Sequence, residues 1–367
     1  MPTQETQYFD NVIASRRSLL MGGGAALAAL AMPKPASAAA TVSTYTDNDI
    51  LNFALNLEYL ESNFYYLAAF GTTIDVANSS SMAAGAGVQS ITGVVGGNSA
   101  GSTAGVVANV GVTGAPAAST LKVPFATAAL AAYAVETAIE EGKHVAALRG
   151  ALGSLAVAQP AMNLTPALFN TLAGLALIPA ALLPFSPYAN EAYFLLGAYI
   201  FEDVGVSAYH GAAPLITGKT TVLPTAAGIL AVEAYHAGLV RTSLNAADVA
   251  GTYAAVGTLA TVTGLLSAFR TKAAQALPQS PVNPEDPTVD DYGLALQTVT
   301  LNGSAVMATQ IVDTIPLSAG STYPATATAF ARSTSQVLNI VTAGGAVTAG
   351  AKATGGFFPN GLNGLFI

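Results

Sequence analysis

The chain has 367 residues and a formal net charge of −8, room for one large domain or two small ones; its acidic balance, with no basic run, argues against a nucleic-acid partner. Cysteine is absent, which excludes disulfides, thiolate zinc sites and cysteine nucleophiles. Only 9% of residues are charged and 52% are hydrophobic, so each carboxylate inside an apolar helix calls for a reason.

The chain opens with a targeting pattern. Ser15-Arg16-Arg17-Ser18-Leu19-Leu20 is a twin-arginine sequence, residues 19–31 form an apolar run too short and Gly-rich to span a bilayer, and Ala36-Ser37-Ala38 offers a small-residue cleavage site. Residues 1–38 are expected to be a twin-arginine export signal, removed from a mature protein that reaches the periplasm or the extracellular space and has no membrane span.

The first predicted helix covers about residues 46–70. Thr46 followed by Asp49 reads as an N-cap with an acidic first turn, and Gly71 as a stop. Its apolar face, with Leu57, Leu60 and Phe64, includes Glu58 and Glu61, one turn apart. A low-complexity insertion rich in Gly, Ala, Ser, Thr, Val and Asn follows over about residues 77–120, with a short strand expected near 106–110. A second helix starts after Pro124 and Thr127 and ends near Gly150 or Gly153. It carries Glu141 and His144, with Gly142 between them as a place for a close backbone approach. The connection over residues 154–188 holds its own helical piece, from Thr165 to about Leu177, and its length suits a crossover to the far end of a bundle. A third helix starts after Pro187 and stops at Gly211, with Glu202, Asp203 and His210 inside. A fourth follows Pro224 to about Asn245, with Glu233 and His236. A fifth, apolar helix is expected over residues 253–276. Residues 278–287 read as a linker; then come mixed alternation to 311, a short helix near 333–341 and a Gly/aromatic tail, 355–367, that docks on the domain. The expected organisation is a signal (1–38), a helical domain (39–276) and an extension packing on it (277–367).

Two of the three histidines occur as Glu-x-x-His, in Glu141/His144 and Glu233/His236. That spacing sets a carboxylate and an imidazole one turn apart on one helix face, half of a di-metal site in a four-helix bundle. Glu58 with Tyr65, and Glu202 with Tyr209, are each seven residues apart, close to two turns, so each pair also shares a face. The chain therefore reads Glu···Tyr, Glu-x-x-His, crossover, Glu···Tyr, Glu-x-x-His.

With this order, the texts LNFALNLEYLESNFYYLA and FEDVGVSAYHGAAPLI and the tail GGFFPNGLNG, the sequence resembles the ferritin-like superfamily, and within it the exported proteins of the desiccation-related type. The resemblance covers residues 47–245 for the fold and the tail for the subtype. It implies an all-α fold: a four-helix bundle with a long crossover between helices 2 and 3, plus a fifth helix, a Gly/Ala-rich insertion and an irregular tail. Carried over residue by residue, it implies that Glu58, Glu141, His144, Glu202, Glu233 and His236 hold two metal ions, iron or manganese, with zinc also compatible. Glu61 is either the alternative to Glu58 or stands behind the ligands. Tyr65 and Tyr209 are expected to bond to ligating carboxylates or relay electrons, or else to be core tyrosines. His210 is an extra ligand, a donor behind the ligands or a structural helix-end residue; Glu136 and Glu140 face solvent or stand behind the ligands.

The added segments argue against a ferritin-type storage cage. The expected function is redox chemistry on a small oxidant or on metal ions under stress. The alternative is a non-catalytic structural or stress-protective scaffold or surface-assembly protein, and a homo-oligomer fits either reading. A hydrolase has no support, since no H-E-x-x-H occurs and no Ser/His pairing suggests itself.

Overall fold

The structure, a computed structural model, describes residues 45–74, 118–251, 258–274, 277, 293–294, 296–301, 304–309, 329–344 and 352–365. The expected export signal, most of the insertion with its expected strand, and the expected linker lie outside the described residues.

Helix α1 is Asp47–Phe70. The Thr46 hydroxyl accepts from the Asp49 amide at 3.3 Å, and the Asp49 carboxylate accepts from the Thr46 amide at 2.9 Å. This reciprocal pair satisfies two amides that helix geometry leaves without partners. Gly71 ends the helix at φ 70°, a left-handed turn open to glycine. Helix α2 is Ala128–Leu152; α3, Pro166–Leu175, lies in the crossover and is capped by Thr165. Helix α4 is Glu191–Ala212. It begins later than Pro187 suggests because Asn190 takes the cap, its side chain accepting from the Tyr193 amide at 2.9 Å. Helix α5 is Leu223–Val249, with Pro224 in the first turn, where a missing amide proton costs nothing. Helix α6 is Leu259–Ala274; the Asp248 carboxylate accepts from the Leu259 and Ala260 amides, both at 2.7 Å. Strands β1 (Leu296–Leu301) and β2 (Ser304–Thr309) pair antiparallel, Leu301 opposite Ser304. Helix α7, Thr334–Val341, has a capping box of Ser333 and Gln336.

Helices α1 and α2 pack as one hairpin and α4 and α5 as the other, with α1 against α4 across the bundle, as a ferritin-like bundle requires. The strand pair is an addition of the C-terminal extension. Burial shows which helices are central. Nineteen of the 24 residues of α1 are buried, against eight of the 27 of α5, so α1 is wrapped on nearly every side while α5 buries one stripe. By length and composition alone α5 could cross a bilayer, but Glu233, His236 and Arg241 on it are turned into the protein.

The cover over α1 and α4 comes from the crossover, α6, α7 and the tail. Phe64 of α1 and Phe201 of α4 meet at 4.8 Å between ring centroids, Phe357 of the tail lies 5.1 Å from Phe201, and Phe169 of α3 lies 5.4 Å from Phe357. Such pairs each add about 0.5–1.5 kcal/mol beyond the area they bury. Beside them Asn56 donates to the Asn363 carbonyl at 2.8 Å and accepts from the Asn363 amide at 3.0 Å. The tail is thus joined to α1 two residues from Glu58.

Candidate metal centre

Helical spacing turns Glu58 of α1, Glu141 and His144 of α2, Glu202 of α4, and Glu233 and His236 of α5 to the bundle axis, and all six are buried. Nδ1 of His144 lies 3.2 Å from Glu58, 3.4 Å from Glu141 and 3.5 Å from Glu233. Nδ1 of His236 lies 2.9 Å from Glu141 and 3.5 Å from Glu202. The two rings are 6.4 Å apart, and Glu141 sits between them with one oxygen toward each. Donor atoms of Glu58, Glu141, His144 and Glu233 fall within 4.8 Å of one another, as do those of Glu141, Glu202 and His236.

These atoms approach without satisfying one another. Both oxygens of Glu141 and of Glu233, Oε2 of Glu202 and Nδ1 of His236 make no hydrogen bond among the described residues. Buried polar atoms without partners are rare and cost about 1–3 kcal/mol each, more when charged. Carboxylate oxygens and imidazole nitrogens that converge on shared space instead of on each other suit hard or borderline divalent cations. The backbone makes room for them at Gly205 of α4, where a Cβ would stand 2.2 Å from Oε2 of Glu233 and 3.5 Å from Oε1 of Glu61.

Proton affinities carry the same crowding. Burial pushes Glu58 up to about 7, although the His144 imidazole pulls it down. Burial and the surrounding carboxylates hold Glu61 and Glu233 well above the usual range; burial also raises Glu202. Burial would also raise Glu141, but the two imidazoles overcome it and hold Glu141 well below the usual range. For His236 burial opposes the charged ring, yet Glu202 and Glu141 push it up to about 12; Glu58 and Glu141 raise His144 likewise. Without cations the cluster stores protons, which bound cations would release.

Tyr65 and Tyr209 bond to carboxylates crosswise. Tyr65 of α1 donates to Glu202 of α4, and Tyr209 of α4 donates to Glu58 of α1. Glu61 is buried and brings a carboxylate oxygen within 4.8 Å of oxygens of Glu141, Glu202 and Glu233. His210 is half-buried and belongs to neither donor group; its Nδ1 has no hydrogen-bond partner among the described residues. Glu136 meets the exposed Tyr235 hydroxyl at 3.3 Å.

One alternative left open by the sequence finds its partner here, and one feature escapes a reading of the sequence. Glu140, partly exposed on α2, lies 2.8 Å from Nε2 of His236. A carboxylate there keeps the proton on Nε2 and leaves Nδ1 to face the cluster. An arginine also follows each site histidine by five residues. Arg149 donates to the Tyr59 hydroxyl at 2.6 Å, and Arg241 donates twice to Asp203, at 3.1 and 2.8 Å. Tyr59 and Asp203 each directly follow a site glutamate, so both arginines pin the helix that carries it. The repeated His-x-x-x-x-Arg spacing is the signal that marks them.

A family model described as a ferritin-like domain matches residues 46–246. Desiccation-related protein PCC13-62 of Craterostigma plantagineum is 29% identical over 199 residues, 54% of this chain; the chain spans about half, 53%, of that relative's length. No solved structure matches.

Proposed function

The chain belongs to the ferritin-like domain family, and on that premise we propose that its buried cluster holds two ions of iron or manganese for oxidant or metal redox chemistry under stress. The observation that carries this reading is the set of buried, unpartnered donor atoms on Glu141, Glu202, Glu233 and His236. Glu58, Glu141, Glu233 and His144 would hold one ion, and Glu141, Glu202 and His236 the other. Bound iron or manganese supplies the electrons that reduction of peroxide or dioxygen needs. The chain's own groups orient and shield. Tyr65 and Tyr209 fix one oxygen each of Glu202 and Glu58 and carry a proton at the hydroxyl. Glu140 fixes the His236 ring, and Glu141, Glu202 and Glu233, fully buried, keep bulk water from the space between the imidazoles. The stress setting is carried over from the desiccation-related name of the relative, and export from the Arg16-Arg17 pattern.

Elemental mass spectrometry on the purified chain and on Glu141→Ala/Glu233→Ala tests this. About two iron or manganese atoms per wild-type chain, lost in the variant together with peroxide consumption, is the expected result. No metal in the wild type and no uptake on reconstitution would overturn it in favour of a non-catalytic scaffold.

A further inference from the structure

The crossover leaves helix α3 through a turn whose key residue is a leucine. The Ile178 amide donates to the Ala173 carbonyl at 3.0 Å and the Leu177 amide to the Gly174 carbonyl at 3.1 Å, the bond pair of a Schellman turn. Such a turn puts the residue just past the helix in the left-handed region, a place that suits glycine. Here that residue is Leu177, at φ 58°. The conformation strains a leucine and not a glycine. Leu177 recovers nothing by packing, since it is 77% exposed. Leu175 is 56% exposed and Leu183 37%, while Ile178 and Leu182 of the same two turns are buried. A single exposed leucine is ordinary. Three of them around a strained turn form an apolar surface held out for contact.

Two further features say what covers it. Residues 150–190 carry no Asp, Glu, Lys, Arg or His. The backbone of the tip is also closed on itself. Besides the two bonds of the turn, the amides of Ala176, Leu182 and Leu183 donate to the carbonyls of Leu172, Pro179 and Ala180. The Phe185 amide donates to the Asn170 side chain at 2.8 Å, and Pro179 and Pro184 have no amide proton. A protein partner is held in register by charged and polar groups around an apolar centre. This segment has no charge to offer and spends its amides internally. An apolar exterior over a self-satisfied backbone is what contact with hydrocarbon demands.

We propose that the crossover tip, with Leu175, Leu177 and Leu183 outward, is a lipid-binding surface that enters one leaflet of a bilayer to the acyl boundary and holds the chain there reversibly. It prefers zwitterionic lipid, because the net charge of −8 repels anionic headgroups and the segment has no cation to offset it. The inference does not depend on the ions in the bundle.

The test is flotation of the purified full chain with phosphatidylcholine vesicles, with and without added phosphatidylglycerol. The wild type should float with phosphatidylcholine, salt should leave that unchanged, and phosphatidylglycerol should weaken it. Leu177→Gly removes the side chain and relieves the turn. It should therefore melt no lower than wild type and yet partition about tenfold less. Leu175→Ser/Leu177→Gly should abolish flotation. A wild type that does not float, or flotation unchanged in both variants, would overturn the proposal. So would a wild type that self-associates without binding vesicles and becomes monomeric in Leu177→Gly, which would assign the tip to a second copy of the chain.

Discussion

Tyr209 of α4 reaches across the bundle and donates its hydroxyl to Glu58 of α1. Its counterpart Tyr65 does the reverse for Glu202, so each hairpin restrains the carboxylate that the other supplies. Tyr209→Phe keeps the ring and removes the donor. Divalent-ion affinity should fall by about 10–100-fold, the usual cost of losing a group that orients a ligand. Mn²⁺ titration measures that loss, and a thermal melt of the same variant should show a fold still intact. Unchanged affinity would mean that the tyrosine is only core packing.

Gly205 brings the α4 backbone close against the Glu233 carboxylate. Gly205→Ala puts a methyl group into the space of the Glu233 carboxylate, so the helix or the side chain must move. Overpacking of this kind costs about 1–3 kcal/mol. The variant should melt earlier than wild type and bind fewer ions per chain by elemental analysis. Gly228, with open space where a Cβ would stand, is the control position inside α5, where alanine should raise the melting temperature slightly and leave ion binding unchanged.

Stability without metal should fall as pH rises. Glu58 has a folded pKa of about 7 against an ordinary 4.5, so between these values the folded chain holds a proton the unfolded chain has lost. The stabilisation linked to that proton is complete below 4.5 and gone above about 7. His236, raised from 6.5 to about 12, has the same sign: its contribution is complete below 6.5 and declines on the way to about 12. Glu141, held low, changes only below 4.5 and gives no slope here. The melting temperature of chelator-treated protein should therefore drop from about pH 5 to about pH 8. Saturating Mn²⁺ should flatten or reverse the trend, because binding displaces those protons. A flat profile without metal would count against a crowded cluster.

The tail junction makes a prediction of its own. Asn56→Ala removes both hydrogen bonds to Asn363 and one to the Asn52 carbonyl. Leaving such groups unpaired in a buried setting costs about 1–3 kcal/mol. Urea denaturation should report that loss, and limited proteolysis should cut the tail sooner than in wild type.

The sequence made the buried Glu and His cluster legible because helical spacing alone decides which side chains share a face, and Glu-x-x-His and Glu···Tyr are spacing statements. It did not reveal that the tyrosines pair crosswise, since a shared face does not name the partner across the axis. Glu140 was open to either side for a similar reason: it lies 100° around α2 from Glu141, and only the arrival of His236 from α5 gives it a role. The start of α4 was misplaced because a Pro signal at 187 competes with a stronger side-chain cap at Asn190. In residues 296–309 mixed alternation without a clear period gave no element, whereas the backbone pairs two strands there.

The junction of Asn56 with Asn363 spans 307 residues of sequence. A ribosome releases α1 long before the segment that covers it, so the helix bearing Glu58 must wait, with its inner faces still wet, for a partner made much later. Closure over so long a loop is slow compared with helix formation. The cover beside Glu58 is therefore the last part of the fold to close, although every residue of the cluster itself lies between 58 and 236.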